Sequence, residues 1–120
     1  MLSIELRRLR FHAFHGVFPE ERILGNEYEA DLSVSFIPAA LPVYQLGDTM
    51  DYTSLYEMVK RRMAIPTPLL ETIATEISDE IRLQYPQVTG IRISIRKLYP
   101  PVNSFEGTVG VSFEWNKPLA

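Results

Sequence analysis

EYEADLSVSF, residues 27–36, is the clearest structural signal in this chain. Apolar and polar residues alternate through it without a break, as Tyr28, Ala30, Leu32, Val34 and Phe36 against Glu27, Glu29, Asp31, Ser33 and Ser35. Successive side chains of a β-strand point to opposite faces of the sheet. The stretch therefore predicts a strand with one covered and one polar face, which is typical of an antiparallel sheet.

Three further stretches repeat this period of two. Residues 3–14 carry it with a slip of phase near Arg7 and Arg8, which predicts a β-bulge. The apolar positions of the three stretches are Ile4, Leu6, Leu9, Phe11 and Ala13, then Ile91, Ile93 and Ile95, then Val109, Val111, Phe113 and Trp115. Together with residues 27–36 they predict a four-stranded antiparallel sheet.

Two helices are predicted between the second and third strands. The first begins near Asp51, and the second follows Pro66 with Thr67 as its N-cap and Pro68 at its first helical position. Apolar residues recur at helical spacing, as Tyr52, Leu55, Tyr56, Val59 and Met63, then Leu70, Ile73, Ile77 and Ile81. The order β-β-α-α-β-β predicts an α+β fold with both helices on one face of the sheet, as a single domain over residues 1–120.

Composition excludes several classes of site and partner. The chain contains no cysteine, which excludes disulfides and thiolate sites, and its two histidines, His12 and His15, cannot form a three-histidine metal site. We therefore expect neither a metal nor a cofactor. A net charge of −3 does not favour nucleic acid. No apolar run at the N-terminus predicts a signal peptide or a membrane span, so the expected location is the cytoplasm.

Lys97 continues the inward phase of Ile91, Ile93 and Ile95. An ammonium on that face would be partly desolvated, and desolvation disfavours the charged form, so such a lysine is a candidate for proton exchange near neutral pH. The alternative is that the strand has ended and the side chain extends to water. The residues alone favour this second interpretation.

Other polar positions have both a structural and a functional interpretation. Glu71, in the first turn of the second helix, either interacts with the helix dipole or binds a heterocycle edge that offers two parallel N–H donors. Tyr52 either packs on the core or exchanges a proton through its phenol. Glu21 lies in a loop between the first two strands, where charges are usually solvated. His15 and Gly16 begin that loop, and a turn-start role fits both.

Five segments together resemble the dihydroneopterin aldolase family: RFHAFHGVFPEERILGNEYEADLSV, DTMDYTSLYEMVK, PLLETIATEIS, IRISIRKLYPPV and GTVGVSF. They occur in the family's order with nearly its spacing, and they cover almost the whole chain. The resemblance implies the tunnelling fold, with subunits in four-membered rings that usually stack as octamers. A homo-tetramer or homo-octamer with sites between subunits would explain the polar sheet face as the lining of a channel. A solvated outer face is the simplest explanation, and the sequence alone does not separate the two.

The resemblance also implies roles for five residues. Glu21 in FPEERILG corresponds to an acidic residue that contacts the substrate, and Tyr52 in DYTSLY to a tyrosine that reaches a neighbouring subunit's site. Glu71 in LLET corresponds to the carboxylate that anchors the 2-amino and N3 edge of the pterin, beside the backbone of Leu70. Lys97 in RKLYPP corresponds to the lysine that handles protons. The implied catalytic residues are thus Lys97, Tyr52 and Glu21.

The implied activity is retro-aldol cleavage of 7,8-dihydroneopterin in folate biosynthesis, with 2′-epimerisation as a side activity. The N5=C6 imine of this small-molecule pterin substrate accepts the electrons of the breaking bond, so neither a Schiff base nor a metal is required.

Two alternatives to this activity stay open. A dihydroneopterin triphosphate 2′-epimerase would favour a basic cluster, which the sequence offers only as Arg22 and Arg96. A non-catalytic ring-forming module would have no role for Lys97. Residues 102–107, VNSFEG, depart from the family, which carries Pro-Gly-His there.

Overall fold

The computed structural model describes residues 1–103 and 105–119. Its helices and strands follow in chain order: β1 (Leu2–Ala13), α1 (Pro19–Leu24), β2 (Asn26–Phe36), α2 (Tyr52–Met63), α3 (Leu70–Gln84), β3 (Val88–Lys97) and β4 (Val109–Asn116). A single 3-10 turn, Leu46–Asp48, interrupts the connection between β2 and α2. The predicted α+β order is confirmed, and one short helix, α1, is added to it between the first two strands.

The four strands form one antiparallel sheet in the spatial order β1-β2-β3-β4. β2 pairs with β1 on one side and with β3 on the other, and its register with β3 places Tyr28 opposite Lys97. The two residues therefore lie side by side on the same face, at the end of the sheet where β3 finishes.

The bulge predicted in β1 is confirmed. The register between β1 and β2 shifts between Leu6 and Leu9, so that Arg7 and Arg8 fall outside the regular ladder. Arg8 has a positive φ of 56°, and its N–H donates to Oδ1 of Asp31 at 2.8 Å. The extra length keeps Leu6 and Leu9 on the same side of the sheet although three positions separate them.

Both long helices lie on one face of the sheet. α2 packs on β1, α3 packs on β3 and β4, and the two helices pack on each other. The predicted alternation is confirmed, because the inward side chains of β2 and β3 are at most 2% exposed: Tyr28, Ala30, Leu32, Val34, Phe36, Ile91, Ile93 and Ile95. The helices contribute the other side of this core, with Leu55, Val59, Met63, Ile73, Ile77 and Ile81 all buried.

The start of α3 differs from the prediction. Thr67 is not its N-cap, because the helix begins at Leu70 and Leu69 takes the capping position without a side-chain hydrogen bond. The Thr67 hydroxyl donates to the Ile65 carbonyl at 2.8 Å, and the Thr67 N–H donates to the ring of His15 at 3.1 Å. The hydroxyl that would cap the helix is therefore engaged by Ile65 and by Arg62, which donates to it at 2.9 Å.

Candidate active site

Lys97, the last residue of β3, and Glu21 of α1 form an ion pair that is largely buried. Lys97 points to the apolar side of the sheet in phase with Ile95, as the alternation predicted. Its Nζ donates a hydrogen bond to Oε2 of Glu21, and the two side chains are only 13% and 5% exposed. The alternative in which Lys97 extends to water is therefore wrong. Each charge compensates the burial of the other, which is the usual condition for burying either.

A short helix holds Glu21 in place. α1 begins with Pro19, whose fixed φ suits the first helical position. The N–H of Phe18 donates to Oε1 of Glu21 at 3.4 Å, and the N–H of Gly25 donates to the Glu21 carbonyl at 3.0 Å. The prediction of a loop with solvated charges is wrong for this segment, because the carboxylate turns inward to meet Lys97.

Gly16 leaves the space that the Glu21 carboxyl group occupies. Its φ of 145° lies in a region that glycine adopts without strain and that residues with a Cβ rarely adopt. A Cβ at this position would overlap the carboxyl group of Glu21. The Gly16 carbonyl also accepts a hydrogen bond from Nε of Arg22 at 3.3 Å. Close packing against Glu21 is therefore a second reason for glycine here, beside the turn that the sequence predicted.

Tyr28 is a buried hydrogen-bond donor behind the ion pair. Its hydroxyl donates to the His15 carbonyl at 2.9 Å, and its side chain is fully buried. Burial, and secondarily the Glu21 carboxylate, raises the pKa of Tyr28 to about 12. The phenol therefore stays protonated at neutral pH and fixes the backbone of His15 relative to the sheet.

The ring of His15 is a neutral hydrogen-bond acceptor. It is 1% exposed, and its Nδ1 accepts the hydrogen bond from Thr67. Burial, followed by the charge of Arg62, lowers the pKa of His15 to about 4; the Met63 carbonyl opposes this shift and the charge of Lys97 adds to it. At neutral pH the proton of the ring therefore resides on Nε2, and Nδ1 is free to accept.

The remaining predicted site residues lie apart from the ion pair. Leu70 and Glu71 form the first turn of α3, where Leu70 packs partly buried against the core and the Glu71 side chain is exposed. Tyr52 opens α2 and is 62% exposed, so the interpretation in which it packs on its own core is wrong. Within residues 1–103 and 105–119, Glu21 is the hydrogen-bond partner of Lys97, and neither Tyr52 nor the Glu71 carboxylate joins it.

A cavity of about 320 Å³ adjoins Glu21, and its wall includes His12, Glu20, Glu27 and Tyr99. This volume lies within the range of small-molecule sites, about 300–1,000 Å³. Nδ1 of His12 and Oε1 of Glu27 are 2.8 Å apart. Among the described residues, no lysine or arginine lines the cavity. A small ligand in it would lie beside Glu21, with Glu20 and Glu27 as further acidic residues of the wall.

Two features are absent from the described part of the chain. It contains no group of three or more histidine, aspartate or glutamate side chains placed to hold a metal ion. None of its helices has the length and apolar character needed to span a bilayer. The divergent segment 102–107 includes Ser104, which lies outside the described residues.

The chain matches known proteins over nearly its whole length. The family model for dihydroneopterin aldolase matches residues 4–114. The chain belongs to the dihydroneopterin aldolase family. It is therefore an aldolase by family, and the alternative of a non-catalytic ring-forming module is not retained.

Relatives of this aldolase are found among both sequences and structures. Dihydroneopterin aldolase of Streptococcus pyogenes serotype M18 is 31% identical over 116 residues, which cover 95% of this chain and 98% of that protein. The Bacillus subtilis enzyme of the same name is 26% identical over 119 residues, covering 98% and 99%. The structure of E. coli dihydroneopterin aldolase in complex with neopterin superposes with a TM-score of 0.84 at 19% identity, over 97% of this chain and 100% of that one. That likeness confirms the predicted fold.

Two parts of the candidate site were not predicted from the sequence. Helix α1 had local signals, namely Pro19 followed by two glutamates and then Gly25 just after its end, which together are typical of a short helix. The acceptor role of His15 had none, because its partner, Thr67, lies 52 positions away.

We expect a thermodynamic cycle to detect the ion pair. Lys97→Met leaves the Glu21 carboxylate buried without its partner, so it should lower the free energy of unfolding by about 3–5 kcal/mol. Glu21→Gln combined with Lys97→Met removes both charges and should recover most of that loss, because no unpaired charge remains. Urea unfolding of the wild type, both single variants and the double variant measures the coupling. Additive losses in the double variant would show that the two groups do not interact.

Proposed function

We propose that this chain cleaves 7,8-dihydroneopterin into 6-hydroxymethyl-7,8-dihydropterin and glycolaldehyde, a carbon–carbon lyase reaction of folate biosynthesis. The observation that carries the proposal is the buried Lys97–Glu21 pair beside a cavity of small-molecule size, in a chain of the dihydroneopterin aldolase family. A retro-aldol reaction needs a group that moves a proton on and off the substrate, and this pair is suited to that task.

The first turn of α3 is proposed to bind the pterin. The Glu71 carboxylate is exposed at the helix start, and two carboxylate oxygens match the two parallel N–H donors of the 2-amino and N3 edge. Leu70 stands beside it and is anchored in the core, so its backbone is a fixed second contact. A ligand held at both points would be oriented before any bond breaks.

The electrons of the breaking bond are taken up by the substrate. The N5=C6 imine of dihydroneopterin is conjugated with the bond that breaks, and it accepts the electron pair released by cleavage. This chain therefore has to bind, orient and transfer protons. Neither a lysine Schiff base nor a metal ion has a step in this proposal.

The Lys97–Glu21 pair provides a route for the proton of the 2′-hydroxyl. An ammonium cannot accept a proton until it has given one up, and the Glu21 carboxylate is in hydrogen-bond contact to receive it. Lys97 as an amine then takes the 2′-hydroxyl proton while the carbon–carbon bond breaks and glycolaldehyde leaves. The same lysine passes this proton to N5, which gives the enol-like intermediate, and Tyr52 then protonates that intermediate at carbon. Loss of the proton from N5 restores the N5=C6 imine and, through solvent, the phenol of Tyr52, while Glu21 returns its proton to Lys97.

Tyr52 is proposed to serve the site of a neighbouring subunit. It is 62% exposed at the start of α2 and has no place in the core of its own subunit. The polar face of the sheet supports an assembly around a wet channel, because its charges are already mutually satisfied: Arg96 donates to Glu29 at 2.6 Å and to Asp31 at 2.8 Å. A homo-tetramer, or an octamer of two stacked tetramers, would bring Tyr52 to its site.

The charge distribution favours dihydroneopterin over its triphosphate. Arg96 is held by carboxylates on the polar face, and Arg22 donates to the Gly16 carbonyl. Neither lines the cavity beside Glu21, whose wall carries Glu20 and Glu27. A 2′-epimerase side activity on dihydroneopterin follows if the aldol step reverses after rotation of glycolaldehyde. The cytoplasmic location expected from the sequence stays a prediction.

Incubation with 7,8-dihydroneopterin should release glycolaldehyde and 6-hydroxymethyl-7,8-dihydropterin, because the proposed site has a proton-transfer pair and the substrate has its own electron acceptor. The rate should be unchanged by prior treatment with EDTA. Chromatography of the pterins, with trapping of glycolaldehyde, measures both. Loss of activity on chelation that a single added metal restores would contradict the proposed mechanism, and absence of glycolaldehyde would contradict the function.

Co-assembly of two inactive variants should restore activity. Tyr52→Phe and Lys97→Ala subunits each lack one part of the shared site, but after random mixing about a quarter of the sites would hold both intact residues. Denaturation and joint refolding, with differently tagged subunits to prove that rings are mixed, provides the test. Each variant refolded alone is the control. Mixed assemblies as inactive as the controls would rule out a site shared between subunits.

A further inference from the structure

We propose that His15 is a positioning residue that holds the pterin-binding turn of α3 in register with the Lys97–Glu21 pair. The inference rests on the proposed function and extends it to a residue outside the proposed substrate contacts. The two parts of the site belong to different regions of the chain, and His15 is placed where those regions meet.

Towards α3, His15 and Gly16 form hydrogen bonds with the connection between α2 and α3. Nδ1 of His15 accepts the Thr67 N–H at 3.1 Å, and the Gly16 N–H donates to the Thr67 carbonyl at 3.0 Å. Both backbone polar groups of Thr67 are therefore bound by two successive residues. Leu70 and Glu71 follow Thr67 within four positions. These two hydrogen bonds therefore fix the direction in which the first turn of α3 starts.

On the other side, the same two residues contact the proton-transfer groups. The His15 carbonyl accepts the hydroxyl of Tyr28 at 2.9 Å, and Tyr28 lies opposite Lys97 in the sheet. Gly16 packs directly against the Glu21 carboxyl group. A displacement of His15 would therefore move the ion pair and the pterin-binding turn relative to each other.

Arg62 also holds the connection between α2 and α3, through contacts separate from those of His15. One guanidinium nitrogen donates to the Thr67 hydroxyl at 2.9 Å and to the Ile65 carbonyl at 3.3 Å. Its Nε donates to Oε2 of Glu76 at 2.7 Å, which ties the connection to α3 itself. With Arg62 on one side and His15 on the other, Thr67 has little freedom to shift.

The acceptor position on the ring explains why a histidine is suited to this place. Only Nδ1 has a hydrogen-bond partner of normal geometry within the described residues, whereas Nε2 has none. The amide oxygen of asparagine can occupy the position of Nδ1, while that of glutamine extends to the position of Nε2. The two amide variants therefore have the same functional group and differ in where it is placed.

The experiment compares His15→Asn and His15→Gln in the full-length protein. Neopterin affinity is measured by calorimetry, and cleavage of 7,8-dihydroneopterin by single-turnover kinetics, which isolates chemistry from product release. Val34→Ala serves as the control, because Val34 is buried in β2 about 20 Å along the strand from Tyr28. It lowers stability without touching the site.

His15→Asn should keep neopterin affinity and single-turnover rate within about threefold of the wild type. His15→Gln should lose about tenfold or more in both, because misalignment of fixed groups by a fraction of an ångström to one ångström is enough for such losses. Val34→Ala should change neither, although its thermal midpoint falls. Equal behaviour of the two amide variants, or a loss in Val34→Ala as large as that in His15→Gln, would overturn the positioning role.

If the wild type binds neopterin but does not cleave dihydroneopterin, the proposed function is wrong. The neopterin affinities of His15→Asn and His15→Gln then still test the positioning role of His15. If neither amide variant folds, hydrogen exchange of residues 65–69 in the wild-type protein decides instead. The Thr67 amide should exchange more slowly when neopterin is bound, because both ligand and His15 then hold the turn. Unchanged exchange on binding would overturn the proposal.

Discussion

The hydrogen bond between the Lys97 ammonium and the Glu21 carboxylate is the interaction on which the rest of the site depends. Removing either charge from water alone costs several kcal/mol, and their attraction offsets this only when the contact is well made. Here the contact joins the end of β3 to a helix of six residues, which is too short to be stable in isolation. The ion pair and the packing of Gly16 against it therefore determine where α1 lies.

The antiparallel register places this pair at the boundary of the core. The period of two that buries Ile91, Ile93 and Ile95 carries Lys97 to the same face, but at the strand end, where its side chain meets Glu21 of α1. Tyr28 occupies the opposite position of β2 and, through His15, connects the sheet end to the turn before α3. Lys97 is thus largely buried at the end of the sheet, outside the layer of apolar side chains, and a cavity adjoins its partner, Glu21.

Features set by neighbouring residues could be predicted from the sequence, whereas contacts between residues far apart in the sequence could not. Alternation in β2 and β3 and the phase slip at Arg7 and Arg8 are local patterns, so the sheet, its buried face and its bulge were predicted correctly. The N-cap at Thr67 was wrong because its hydroxyl contacts Arg62 and Ile65 and a distant ring, that of His15, binds its N–H, so that Thr67 lies before the helix, which begins at Leu70. The partner of Lys97 was not predicted for the same reason, since Glu21 lies 76 positions away and no period relates the two.

The central claim is that Lys97 transfers a proton and does not merely supply positive charge. Single-turnover cleavage of 7,8-dihydroneopterin by Lys97→Arg tests it most directly, because a guanidinium keeps the ion pair with Glu21 but stays protonated. With neopterin affinity as the check that the site is intact, the account predicts a chemical step slower by about 10²–10⁴-fold, the usual contribution of general acid–base catalysis. A rate close to that of the wild type would contradict it.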